Sequence, residues 1–185
     1  IKDINQLSLT FPVPSLTEHY QSKPDRYITN ILGHEGPGSL HAYLNEKGWI
    51  ESLGAGSQSF DKNTSLIVIN ISMTNQGAEK TDQIIGAVFR YINFLREQPL
   101  PEFLYDEQAS LADLEFQFVE SASPMGIVYS LAPKLSETIA EDLLVAPYLM
   151  KEFQPKKIKE YLNLLTQKNV LVEINSTTAK TTETE

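Results

Sequence analysis

Leu32-Gly33-His34-Glu35-Gly36-Pro37-Gly38-Ser39-Leu40, with Lys47-Gly48-Trp49 shortly after it, is the stretch on which the reading of this chain turns. A His-Glu pair set among glycines invites a metal-site interpretation. A zinc helix of that kind needs two histidines four apart with a glutamate between them, or the inverted order His-x-x-Glu-His. Here the next histidine is His41, and Gly36-Pro37-Gly38 interrupts any helix that would align it with His34. His19 has no partner at ligand spacing. The stretch therefore reads as a helix end, a glycine-rich turn and a second helix start. Pro24-Asp25-Arg26 opens the first helix, with Tyr27, Ile28, Ile31 and Leu32 inward. Ser39 to Glu46 forms the second, with Leu40, Tyr43 and Leu44 on one face and Gly48 closing it. His34 reads as a helix-end residue that bonds backbone.

Working outward, Leu7, Leu9, Phe11 and Val13 alternate and predict a half-buried strand. Pro12 and Pro14 place its end at an edge or outside the sheet. Trp49 to Leu53 and Ser65 to Ser72 predict two further strands, joined through the turn Asp61-Lys62-Asn63 as an antiparallel pair, with the second strand central. Asn75 predicts the cap of one long helix reaching Arg96, with Ile84, Ile85, Val88, Tyr91, Ile92 and Leu95 inward. A second long helix runs from Glu102 to Val119, with Phe103, Leu111, Leu114 and Phe118 available to the core. Shorter helices follow from Ser123 to Leu131, Glu141 to Tyr148 and Pro155 to Leu165, and Val170 to Ile174 is the last strand. This order gives an α+β fold, an antiparallel sheet with helices on one face. Residues 1–176 form the domain, and 177–185 are a polar linker or end.

Composition narrows the function. The chain has 185 residues, 41% of them hydrophobic, a formal net charge of −9 and no cysteine. Disulfides and thiolate chemistry are excluded. The acidic balance without a basic stripe disfavours nucleic acid. No apolar run approaches the roughly 20 residues that span a bilayer, so no membrane partner is expected. No serine lies in Gly-x-Ser-x-Gly, so nucleophilic catalysis has no support. Gly54-Ala55-Gly56-Ser57 lacks the Lys-Ser/Thr ending of a phosphate cradle. Its small residues mark either a plain β-bulge or a sheet edge kept open for another backbone, as in peptide binding by strand addition. Glu35, between Gly33 and Gly36, is either a solvated loop residue or a partner for a peptide's free amino end.

The block Leu32 to Leu40, Lys47-Gly48-Trp49 and the strand Leu53 to Ser57 resemble the second, non-catalytic domain of the insulinase (pitrilysin) family of zinc metallopeptidases. Leu7 to Pro14 is similar to that family's opening strand, Tyr91 to Arg96 to its long helix, and Ala146-Pro147-Tyr148 and Phe153-Gln154-Pro155 to its later helices. The resemblance implies four homologous α+β domains enclosing a chamber, with zinc bound by the first domain. It thus implies no cofactor in this chain, zinc in the parent enzyme, the other domains of its own chain as partners, and a peptide as substrate. This chain alone is expected to be inactive. The resemblance also implies a substrate-binding exosite at Gly33, Glu35, Leu53, Gly54 and Ala55. The family's glycine at the last position is Ala55 here, and a histidine upstream of the motif is Asn30. Two alternatives keep the peptide-binding surface or the fold without the protease: a scaffold subunit of the processing-peptidase or respiratory core-protein type, and a free-standing peptide-binding module. The resemblance, rather than any targeting segment, suggests the bacterial periplasm.

Overall fold

Four strands form one sheet, in the order β2-β3-β1-β4, with every neighbouring pair antiparallel. The computed structural model describes residues 5–119 and 123–176, so the expected polar linker at 177–185 lies outside the described residues. The strands are β1 (Asn5–Pro14), β2 (Ile50–Ser59), β3 (Thr64–Met73) and β4 (Leu171–Ser176). The alternation in β1 and β3 sets the layers. Leu7, Leu9, Phe11 and Val13 lie buried beside Ile71, Ile69, Ile67 and Ser65, their register partners. The intervening positions face the other way, where the Ser8 hydroxyl donates to Asn70 Oδ1 at 3.0 Å. One face is thus apolar and the other polar, and the helices cover the apolar one. Among the described residues the α-helices are α1 (Pro24–Leu32), α2 (Leu40–Glu46), α3 (Asn75–Ala78), α4 (Thr81–Glu97), α5 (Glu102–Gln117), α6 (Pro124–Leu131) and α7 (Pro155–Leu164). Tyr27, Ile28 and Leu32 of α1, Ile84, Val88 and Ile92 of α4, and Ile158 and Leu162 of α7 complete the core. Phe89 meets Phe11 of β1 edge-on at 6.1 Å. Burying Val88 and Ile92 contributes about 1.5–3 kcal/mol each.

Several local expectations are corrected. The helix predicted from Asn75 to Arg96 is two helices. The Thr74 hydroxyl caps α3 through Gly77 N (3.0 Å) and donates to Gly48 O (2.7 Å). Gly77 is pressed so tightly onto Trp49 that a Cβ would lie 1.8 Å from the Trp49 carbonyl oxygen. The chain must turn there before α4 can start. Phe103, Leu111, Leu114 and Phe118, expected inward, are exposed, and α5 buries Tyr105 and Ala112 instead. Ile85 is half-buried. The stretch 141–148 is a 3-10 turn at Ala140–Asp142 followed by turns.

The prolines of β1 find a physical explanation. Ser15 N–H donates to Asn63 O and Phe60 N–H to Thr64 O. With the observed registers, backbone groups of odd residues in β1 therefore face β3, and those of even residues face β4. β4 ends opposite Thr10. Pro12 and Pro14 thus lack an N–H where no strand asks for one, and the Asn169 side-chain amide donates to Pro12 O at 2.8 Å.

Candidate functional site

β2 is an outer strand, and the same hydrogen-bond parity decides what it offers. Gly54 and Gly56 turn their backbone groups to β3, whereas those of Leu53, Ala55 and Ser57 face away from the sheet. The run Gly54-Ala55-Gly56-Ser57 keeps regular register with β3, and the bulge of this strand lies between Ile50 and Ser52. The plain-bulge reading of the small residues is therefore set aside. Leu53 buries its side chain in the core, at 4% exposure, and contributes only backbone to the edge.

α1 delivers the opposite wall. Its last turn ends at Gly33, whose N–H donates to Thr29 O at 2.9 Å. Gly33 has φ −90°, so no backbone strain calls for glycine there, though space beside it is tight. A Cβ there would stand 3.2 Å from Thr29 O and 3.3 Å from Ala55 N. The helix end thus abuts the outward N–H of the edge strand. Asp25 fixes the other end of α1 to β2 by accepting from the Ser57 hydroxyl at 2.6 Å. The turn that follows carries His34 and Glu35, both exposed. The His34 ring folds over Gly36, where a Cβ would come within 2.5 Å of Nε2.

These elements enclose an open cleft of about 390 Å³, lined by Gly33, His34, Glu35, Gly54 and Ala55 together with Arg26, Thr29, Asn30 and Gln108. Four of the five residues expected at the site meet in it, and Leu53 adjoins through its backbone. Gln108 closes the cleft from α5, and no sequence signal announced it. Arg26 of α1 also forms an exposed 3.2 Å ion pair with Glu115 of α5. The cleft offers one carboxylate, one row of unpaired backbone groups and side-chain amides. Among the described residues, no three His, Cys, Asp or Glu side chains cluster at metal-ligand spacing. No helix among the described residues is long and apolar enough to cross a membrane.

Similarity to known proteins identifies the family. The family described as the Peptidase M16 inactive domain matches residues 1–111, and that described as the middle or third domain of peptidase M16 matches 116–185. The two matches meet inside α5, yet β4 from the second pairs with β1 from the first. The insulin-degrading enzyme of Drosophila melanogaster is 35% identical over 165 residues, covering 89% of this chain and 17% of that protein. Human insulin-degrading enzyme is 36% identical over 176 residues, covering 95% and 17%. The chain thus spans about a sixth of the length of these relatives. The crystal structure of pitrilysin superposes with a TM-score of 0.90 at 27% identity, over 98% of this chain and 20% of that one. The inactive peptidase domain of a putative zinc protease from Bordetella parapertussis shares the fold, at TM-score 0.73, 11% identity and 99% and 96% coverage. The chain belongs to the insulinase (M16) family of zinc metallopeptidases, of which it is an inactive, non-catalytic domain.

Proposed function

We propose that this domain holds the amino end of a peptide substrate for a longer zinc metallopeptidase whose metal sits in another domain. The carrying observation is the cleft that joins Glu35 to the outward backbone of Leu53 and Ala55. An extended peptide adds to β2 as a fifth strand, and its α-ammonium pairs with Glu35. Each main-chain hydrogen bond contributes about 0.5–1.5 kcal/mol net, and an exposed ion pair at most about 1 kcal/mol. Binding by this domain alone is therefore weak. It gains from the other domains of the chain, which close a chamber around the bound peptide.

The test is Glu35→Gln in the full-length protein, with kinetics on one peptide in free and amino-acetylated forms. The free form should lose about two- to fivefold in kcat/KM through KM, and the acetylated form should not change. Equal losses for both forms would remove the amino-end role.

A further inference from the structure

A second concavity lies directly beside the cleft. It measures about 250 Å³ and shares Asn30 and His34 with the cleft as a common ridge. Its floor is apolar, made by Ile31 of α1, Leu95 of α4 and Leu104 of α5. Leu104 and Gln108 are one helical turn apart on α5, so the two hollows sit side by side along that helix. One wall is aromatic. The Tyr91 and Phe94 rings stack at 6.3 Å, and Phe94 is 52% exposed.

The walls are built in advance of any ligand. The Tyr27 hydroxyl donates to Pro101 O at 3.1 Å, which holds the α4–α5 connection. The Lys159 ammonium donates to Leu95 O (3.2 Å), Gln98 O (2.6 Å) and Arg96 O, gathering the open carbonyls at the end of α4. Drug-sized ligands use pockets of roughly 300–1,000 Å³. This one is smaller, and matches one large side chain.

We propose that this pocket is a specificity subsite that takes an apolar or aromatic side chain from the first residue of a bound peptide. The inference rests on the amino-end reading above, because that reading places the first residue at the shared ridge. An amine at Glu35 directs its own side chain across Asn30 and His34, and the hollow beyond them is apolar. The occupant is thus fixed by continuity with the cleft. A first residue of glycine leaves the pocket empty, and an aspartate would strand a carboxylate against Leu104 and Phe94.

The experiment uses full-length protein and one octapeptide, labelled at its carboxyl end with fluorescein, whose first residue is Phe, Leu, Gly or Asp. Affinity is read by fluorescence anisotropy, which needs no turnover. Phe and Leu peptides should bind about tenfold more tightly than Gly and Asp peptides. Two exposed positions test the pocket. Gln98→Trp plugs its mouth and Phe94→Ala removes its wall; each should bring the four affinities within about twofold of one another while leaving the Gly peptide unchanged. A preference that survives both variants overturns the subsite. So does a flat series in which Glu35→Gln still weakens free peptides more than acetylated ones, and that result leaves the amino-end reading standing. Loss of both effects sinks both proposals. If Phe94→Ala shifts oligomeric state or melting of the full-length protein without touching peptide preference, the pocket holds another part of the assembly and the proposal falls.

Discussion

Gly54 and Ala55 are neighbours with opposite duties. Parity gives Gly54's N–H to β3 and Ala55's to the cleft. Proline removes one donor in either place. Gly54→Pro should therefore break a ladder bond and lower the melting temperature by several degrees, for a loss of about 1–3 kcal/mol. Ala55→Pro should melt closer to the parent but bind free-amine peptides more weakly. Thermal melts and peptide anisotropy on both variants check this, and the reverse ranking would show that the edge donors are assigned wrongly. The residue scale also shows what was legible beforehand. Gly33 and Glu35 could be singled out because glycines around one carboxylate advertise access. Gln108 could not, since it is one of many polar residues on α5 and is brought to the cleft only by the packing of α5 against α1. The outward parity of Ala55 was equally hidden, because it depends on the register with β3 and on the bulge at Ile50.

At the scale of elements, periodicity found β1, β3, β4, α1, α2, α5 and α7 to within a few residues, while β2 runs six residues past its expected end at Leu53. It failed where tertiary contacts override local preference. The Trp49 backbone against Gly77 splits one apparent helix. The stretch 140–148 has helical spacing, yet its first turn is held by side chains from far upstream. The Asp142 carboxylate accepts from Gln21 Nε2 (2.7 Å), from the Tyr20 hydroxyl (3.0 Å) and from Lys151 (3.3 Å). Those bonds, Gln21 first and then Tyr20 and Lys151, hold it below the ordinary carboxylate range against the opposing effect of burial. A depressed folded-state pKa stabilises above the unfolded value, near 3.9, and that contribution is lost as pH falls through the folded value. Asp142→Asn should thus melt lower than the parent at pH 7, and the gap should close below about pH 4. A gap independent of pH would mean that the carboxylate charge plays no part.

For the whole molecule, the fold class followed from element order, and the helix-covered face from the alternation in β1 and β3. The surface was read less well. Leu111, Leu114 and Phe118 of the α5 segment looked like core because helical spacing reports burial without saying against what. They are exposed, as are Met125, Val128 and Tyr129 of α6 and Leu135, Ile139 and Leu144 beyond it. A patch of that extent is unusual on a free-standing monomer. The chain spans 17% of the length of the insulin-degrading enzymes it matches, and a longer chain would offer a covering partner. Produced alone, the domain should bind an apolar dye such as anilinonaphthalene sulfonate strongly and self-associate in sedimentation. The full-length protein should show neither per domain. A monomeric isolated domain that leaves the dye dark would show that nothing needs to cover this face.

The prolines of β1 bear on a different hazard. An uncovered strand invites pairing with a second chain, and proline or lysine on the edge is a common deterrent. Pro12 and Pro14 stand where β4 has run out and disarm that stretch. β2 carries neither proline nor lysine along Ile50–Ser59. Its edge is left able to accept any extended backbone, including that of another copy. Gly33 at the end of α1 and Gln108 of α5 flank that edge and narrow the approach to it. Displacing α5 from this edge would leave the outward backbone groups of β2 open to a second copy, and the expected consequence is aggregation.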